Sequence, residues 1–160
     1  MEIIQYKREL IGKLFELAKG KREISKKTSQ AAQERANEAE GPMQSRYSTF
    51  KEEGQYLAGG LKVLHEEFKS IEAIVQLMMK EPLNNSTRVE LLSIVEIEFE
   101  NEHATKFFVF PVLGGEKIDD ITIITPEAPL CKAIMFKEID YQFNLKIGKK
   151  IKKGEVINVQ

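Results

Sequence analysis

The first half of the chain carries an apolar repeat that is typical of a long helix with one buried side. Apolar residues follow one another at alternating steps of three and four, at Met43, Tyr47, Phe50, Gly54, Leu57, Leu61, Leu64, Phe68, Ile71, Val75 and Met78. Upstream, a second series recurs every seven residues, at Ile3, Leu10, Leu17, Ile24 and Ala31, with Leu14 and Thr28 between them. The two series meet at Gly41-Pro42, where proline ends a helix because it lacks the amide hydrogen. We therefore expect two long helices folded back on each other, with a polar tip.

Each arm of such a hairpin has ~35 residues, which is roughly 50 Å of helix at a rise of 1.5 Å per residue. A rod of that length suits a protein that inserts something into a deep channel. The same repeat would also suit a helix that pairs with a second chain in a structural or interaction protein. The break at Gly41-Pro42 and the unequal quality of the two series favour the hairpin.

The period of the apolar residues changes from 3.6 to two after a linker at 82–88. The segment 92–100 sends Val95, Ile97 and Phe99 to one face and three glutamates to the other, which is typical of a half-buried strand. Further strands are predicted at 106–113, 121–125, 141–147 and 155–159, with a two-turn helix over 129–136. The sequence thus predicts an α+β protein: a hairpin at 1–81 with its tip near 37–46, and a small antiparallel sheet of about five strands with one short helix at 89–160.

Composition gives no global preference for a partner, because 24 basic residues face 25 acidic ones and the net charge is -1. The single Cys131 fits a reducing compartment, and no apolar run approaches the ~20 residues of a membrane span, so we expect a cytoplasmic protein without a membrane partner. His65 and His103 do not have metal-ligand spacing, and no phosphate-binding loop is present. We expect no active site and no cofactor of the chain's own.

Three clusters of charge remain as candidate sites. Five positive charges crowd the first helix, at Lys19, Lys21, Arg22, Lys26 and Lys27, where they form a solvated face or a patch that contacts the phosphates of a nucleic-acid end. Carboxylates gather before the tip glycine, at Glu34, Glu38 and Glu40, and could supply oxygen ligands to a Mg²⁺ ion in another protein's site. A last basic cluster lies at Lys146, Lys149, Lys150, Lys152 and Lys153, where protection of a sheet edge explains it as well as a ligand does.

This order of parts resembles the Gre family of bacterial transcript-cleavage factors, which have an N-terminal antiparallel coiled coil followed by a small FKBP-like domain. The resemblance rests on Ile123–Ile134, which is similar to the family's strand, Ser-Pro and short-helix signature, and on Ala36–Gly41, Tyr47 and Lys51-Glu52-Glu53 in the rod. Two departures stand out in the second half: Met135-Phe136 replaces the family's glycine after the short helix, and Ile139-Asp140 replaces its Gly-Asp turn. At the tip, the family's two acidic residues after the glycine are missing from Pro42–Arg46.

The resemblance implies a bacterial elongation factor that binds RNA polymerase, with DNA binding, and that acts as a monomer rather than as an enzyme. Its rod would enter the secondary channel, and Glu38 and Glu40 would help hold a Mg²⁺ ion shared with the polymerase active site. The basic patch of the first helix would contact the RNA 3′ segment. Docking on the polymerase would use Pro126, Pro129, Leu130 and Ile134.

Alternatives to a cleavage factor stay open at this point. One is a Gre-like regulator that only occupies the channel, because the acids precede the turn. Another is an FKBP-like prolyl isomerase, for which Phe107, Phe108, Phe110 and Phe136 are available to line a pocket.

Overall fold

The computed structural model describes the backbone of residues 2–38 and 44–160 and the side chains of residues 2–37 and 52–160. Two long helices come first, followed by short strands and one short helix. In chain order the elements are α1 (Glu2–Glu38), α2 (Gln44–Met78), β1 (Ile94–Phe99), β2 (Thr105–Val109), β3 (Lys117–Ile118), β4 (Ile121–Ile124), α3 (Pro129–Ile134), β5 (Gln142–Ile147) and β6 (Lys150–Val159). The predicted break at Gly41-Pro42 lies outside the described residues. The predicted fold class, a helical hairpin followed by a sheet with one short helix, is confirmed.

Contacts divide the chain into two compact units, the hairpin unit (Leu14–Leu77) and the sheet unit (Met1–Lys13 with Met78–Gln160). The start of α1 groups with the sheet because Leu10 and Ile11 are buried and because the Lys7 Nζ donates to the Asn84 carbonyl at 2.9 Å. The boundaries at 81 and 88 remain predictions from the sequence.

The hairpin unit holds α1 and α2 antiparallel, since residues early in α1 meet residues late in α2. Arg22 pairs with Glu72, and Ser25 Oγ lies 3.1 Å from His65 Nδ1. Nearer the far end of α1, a methyl group placed on Gly54 would lie only 3.1 Å from the Cβ of Ala36, so the backbones approach closely there.

The contact between the two helices follows the predicted series only in part. Leu14 and Val75 are buried as expected, but Ile24, Leu57 and Leu64 are 68%, 60% and 41% exposed. Smaller or polar neighbours are buried instead, at Ala18, Ser25, Ala36 and Ala58. The reason is geometric: a helix of 3.6 residues per turn drifts by ~20° per heptad against a seven-residue repeat, so the contact passes to adjacent positions.

The sheet has six strands among the described residues, in the order β3-β4-β2-β1-β6-β5. It is mixed rather than antiparallel throughout, because β2 and β4 pair in parallel while the other neighbours are antiparallel. The two-residue β3, which the sequence did not predict, turns the chain so that β4 enters beside β2 in the same direction. Strand β6 begins at Lys150 rather than at 155, since its basic first half pairs with β5 along its whole length.

The core of the sheet unit lies between one face of the sheet and α3. Its buried members are Val89, Val95, Ile97, Val109, Ile124, Cys131, Ile134, Phe143, Val156 and Val159. Phe143 lies directly over Gly154 of the neighbouring strand, where an added Cβ would come within 2.6 Å of the ring Cζ. The glycine therefore provides the space that the aromatic ring fills.

We predict that Gly154→Ala lowers the free energy of unfolding by about 2 kcal/mol, because the Phe143 ring must leave its position. Gly60→Ala is the matched control: nothing lies within 4 Å of a Cβ there, so the better helix propensity of alanine should raise the free energy by roughly 0.5–1 kcal/mol. Urea unfolding of both variants measures the difference. Equal effects of the two changes would contradict the packing described.

Lys7 is a charged side chain buried within the sheet unit, with 1% of its surface exposed. The Lys7 Nζ donates a hydrogen bond to the Asn84 carbonyl. Among the described residues, no carboxylate forms an ion pair with Lys7. Burial lowers the pKa of Lys7 below its ordinary value of 10.5, because the ammonium form loses its hydration. In the interval between that lowered pKa and 10.5, the unfolded chain binds more protons, so stability rises with pH.

We predict that Lys7→Met raises the free energy of unfolding by about 1 kcal/mol at neutral pH, because the desolvation penalty disappears. The gain should shrink as the pH approaches the ordinary lysine value, where the wild-type side chain folds in its neutral form. Denaturant unfolding at about pH 7 and about pH 10 tests this. Lys13→Met, which removes an exposed lysine paired with Asp119 at 2.6 Å, should give no gain. Loss of stability in Lys7→Met would show that its hydrogen bond outweighs desolvation.

Candidate functional site

The basic patch predicted on α1 retains three freely exposed lysines. Lys19, Lys26 and Lys27 are exposed, and none of them takes part in an ion pair formed among the described residues. Lys19 and Lys26 are seven residues apart and so share one face of the helix, with Lys27 beside them. Such a group of unneutralised ammonium charges attracts phosphate oxygens.

The other two members of the predicted patch are engaged within the hairpin unit. Lys21 is half-buried, with its Nζ 6.0 Å from the centre of the Phe68 ring. Arg22 pairs with Glu72, so its charge is neutralised at the contact between the helices. Sequence spacing alone did not separate the solvent-facing lysines from these two.

The structure describes the side chains of only the first part of the acidic tip. Glu34 and Asn37 are exposed on the last turns of α1, where Gln33 donates to the Asn37 Oδ1 at 3.1 Å. Glu38 ends α1, but its side chain lies outside the described residues, as does Glu40. Their role at a Mg²⁺ ion stays a prediction.

The predicted docking segment forms the turn from β4 into α3. Pro129 occupies the first turn of α3, where its missing amide hydrogen is harmless, and the Lys132 amide donates to the Ala128 carbonyl at 2.9 Å. Pro129 is exposed, and Pro126 and Leu130 are half-buried, so all three offer some surface. Ile134 is completely buried in the core, and a direct contact with a partner is not open to its side chain.

Sequence analysis named Phe136 only as a possible pocket-lining residue and as part of a departure from the family pattern, and did not predict that its ring is exposed directly after α3. Phe136 is 69% exposed and has a φ of 63°, a backbone conformation that glycine favours and a bulky residue rarely adopts. Its amide donates to the Val89 carbonyl at 2.8 Å, which holds the turn in place. Asp140 follows with a φ of 69°. Phe136 lies in the pair Met135-Phe136 that replaces the family's glycine, and Asp140 lies in the pair Ile139-Asp140 that replaces its Gly-Asp turn. These departures were the sequence signal for an unusual backbone at this turn.

Charged side chains surround this turn in defined pairs. Arg88 Nε donates to Glu138 Oε1 at 3.0 Å, next to a backbone bridge between the same two residues. Lys137 Nζ lies 4.9 Å from the centre of the Tyr141 ring. These two pairs lie beside the turn, while the Phe136 ring is exposed to solvent.

Other residues with possible chemical roles pack inside the protein. Cys131 is completely buried, and burial raises the pKa of its thiol, which disfavours the reactive thiolate. Phe108 and Phe110 stack in the interior with ring centres 5.6 Å apart, so they do not line an open isomerase pocket. Within the described residues, no group of three or more metal-ligating side chains comes together. No helix in that part of the chain combines the length and apolar character of a membrane span.

Among known proteins, only solved structures are similar to this chain. No protein-family model matches the chain, and no curated protein matches it. The chain is similar to a structure of the transcription factor Gfh1, with 15% identity over 92% of this chain and 93% of that one and a TM-score of 0.42. It is also similar to Thermus aquaticus Gfh1 (20% identity, 89% and 95% covered, TM-score 0.41) and to the elongation factor GreA/GreB of Nitrosomonas europaea (14% identity, 60% and 78% covered, TM-score 0.39). At these values the likeness gives no residue-level correspondence.

We predict that Phe136→Gly raises the free energy of unfolding by about 1 kcal/mol, because glycine adopts the left-handed conformation without strain. Phe136→Ala is the control: it removes the same ring but keeps a Cβ at positive φ, so it should not be stabilising. Thermal unfolding of the two variants makes the comparison. A stabilising alanine would show that the exposed ring, and not the backbone, carries the penalty.

Proposed function

We propose that this chain is a Gre-like transcription factor that binds RNA polymerase, inserts its hairpin into the secondary channel and modulates the cleavage of backtracked RNA. The observation that supports this most is the turn after α3. Phe136 has a left-handed backbone and belongs to Met135-Phe136, the pair that replaces the family's glycine directly after the segment Ile123–Ile134. Asp140 is also left-handed and belongs to Ile139-Asp140, the pair that replaces the family's Gly-Asp turn. Glycine is the residue that favours this backbone, so a left-handed residue in the pair that replaces a glycine supports the resemblance.

The two units divide the work in this proposal. The sheet unit docks on the polymerase through Pro126, Pro129 and Leu130, and the exposed ring of Phe136 extends that surface, since exposed aromatic residues are frequent anchors of interfaces. The hairpin unit supplies a long, narrow element for the channel. The exposed lysines of α1 contact the RNA 3′ segment, and the chain works as a monomer in the bacterial cytoplasm.

The chemistry of cleavage belongs to the polymerase. Two-metal hydrolysis of a phosphodiester needs a second Mg²⁺ ion and an ordered water, and carboxylate oxygens are the ligands that Mg²⁺ prefers. Glu38 and Glu40 are the acidic residues nearest the tip, and in this proposal they offer those oxygens. The chain thus needs no cofactor of its own and is not itself an enzyme.

A second candidate is a factor that occupies the channel without stimulating cleavage. The residues after the tip glycine, Pro42–Arg46, include no carboxylate, whereas the resemblance places two acids there. If the acids before the turn do not reach the metal, binding blocks the channel and inhibits.

We predict that the protein stimulates RNA cleavage in stalled, backtracked polymerase complexes and that Glu38→Ala/Glu40→Ala reduces this by at least about tenfold. Glu16→Ala, which removes an exposed carboxylate about six turns before Glu38 in α1, is the matched control and should leave stimulation intact. Co-sedimentation with polymerase measures binding in parallel.

Binding of the wild type without stimulation would assign the channel-occupying role instead. Absence of binding would reject both versions and leave the coiled-coil interaction protein as the surviving interpretation.

A further inference from the structure

The hairpin of β5 and β6 ends in a tip that carries positive charge alone. Residues 144–153 contain five lysines and no acidic residue. Lys152 is engaged: it pairs with Glu102, and its Nζ lies 5.2 Å from the centre of the Phe99 ring. The other four lysines are exposed and take part in no ion pair or side-chain hydrogen bond formed among the described residues; they are Lys146, Lys149, Lys150 and Lys153.

Protection of the sheet edge does not explain these lysines. The outer strand is β5, and of the four only Lys146 belongs to it. Lys150 and Lys153 belong to β6, which is paired with β5 along its first half, and Lys149 lies in the turn between the strands. Four exposed lysines without an ion pair among the described residues repel one another on one short ribbon, and an anionic ligand relieves that repulsion.

The strand register distributes charge and apolar surface over both faces of the ribbon. Lys146 lies opposite Ile151, and Ile147 lies opposite Lys150. Because successive side chains alternate between faces, the first pair projects from one face and the second pair from the other. Both isoleucines are largely exposed, Ile147 at 53% and Ile151 at 68%. Each face of the tip thus presents one exposed isoleucine beside at least one unpaired lysine.

A ligand that engages all four lysines together carries negative charge on both sides of the ribbon. A protein surface meets one face of a ribbon, whereas the major groove of duplex DNA places a row of phosphates on each side of whatever enters it. Two strands ~4.8 Å apart fit, with their side chains, into a groove ~12 Å wide. Duplex RNA does not offer this, because its major groove is deep and narrow.

We infer that the β5–β6 tip is a binding site for duplex DNA, entered as a two-stranded ribbon in the major groove. The four unpaired lysines contact phosphates on the two sides, and Ile147 and Ile151 lie against the apolar edges of the bases. Lysine contacts to phosphate carry no sequence information, so binding is largely independent of sequence. The inference does not depend on binding to the polymerase.

The test measures binding of the full-length protein to a fluorescent DNA duplex by anisotropy over a range of salt concentrations. We expect Lys146→Gln/Lys149→Gln/Lys150→Gln/Lys153→Gln to weaken binding at least about tenfold and to reduce the slope of log affinity against log salt by roughly 3–4, since each phosphate contact contributes about 0.9. The matched control, Lys62→Gln/Lys80→Gln/Lys132→Gln, removes three exposed positive charges from outside both lysine clusters and should change affinity by less than about twofold. Circular dichroism checks that both variants fold.

Two further arms separate the groove from a general preference for anions. Ile147→Ser/Ile151→Ser should weaken binding severalfold without changing the salt slope, and duplex RNA and polyglutamate should bind more weakly than duplex DNA. Equal binding to polyglutamate would overturn the inference in favour of an acidic protein partner. It is likewise overturned if the wild type does not bind the duplex, or if the four-lysine variant binds as the wild type does.

Discussion

The contact between α1 and α2 depends on small and polar side chains more than on large apolar ones. The small residues Ala36 and Gly54 let the two backbones approach closely. The pairs Arg22–Glu72 and Ser25–His65 can both form in only one alignment of the two helices. A slip by one turn would leave these partly buried polar groups without partners, which is costly in a poorly hydrated contact. The polar pairs therefore fix the register of the hairpin, and the register decides which residues of α1 face outwards.

The register of the hairpin decides which positive charges of α1 are available to a ligand. Of five neighbouring positive charges, Arg22 is drawn into the helix contact and Lys21 lies over Phe68, while Lys19, Lys26 and Lys27 remain in solvent. A count of charge along the sequence does not distinguish these cases, because the distinction depends on which acidic residue of the other helix lies at the same height. Glu72 is 50 residues away in the chain, and the hairpin brings it to Arg22.

Much of the fold could be predicted from periodicity, and the exceptions have physical causes. The steps of three and four marked α2, the alternation around Ile97 marked β1, and Pro129 marked the start of α3. The parallel pairing of β2 with β4 could not be predicted, since it depends on a two-residue strand that has no period of its own. Of the residues assigned to docking, Pro129 is exposed, whereas Ile134 is buried in the core because it lies on the inner face of the short α3. The exposure of the Phe136 ring was not predicted, because it depends on a left-handed backbone that residue type alone does not show.

The drift between the seven-residue series and the helix leaves Ile24, Leu57 and Leu64 in solvent. These side chains keep much of their apolar surface in water and contribute little to the contact between the helices. The residue types at these three positions are therefore free to vary without loss of the hairpin.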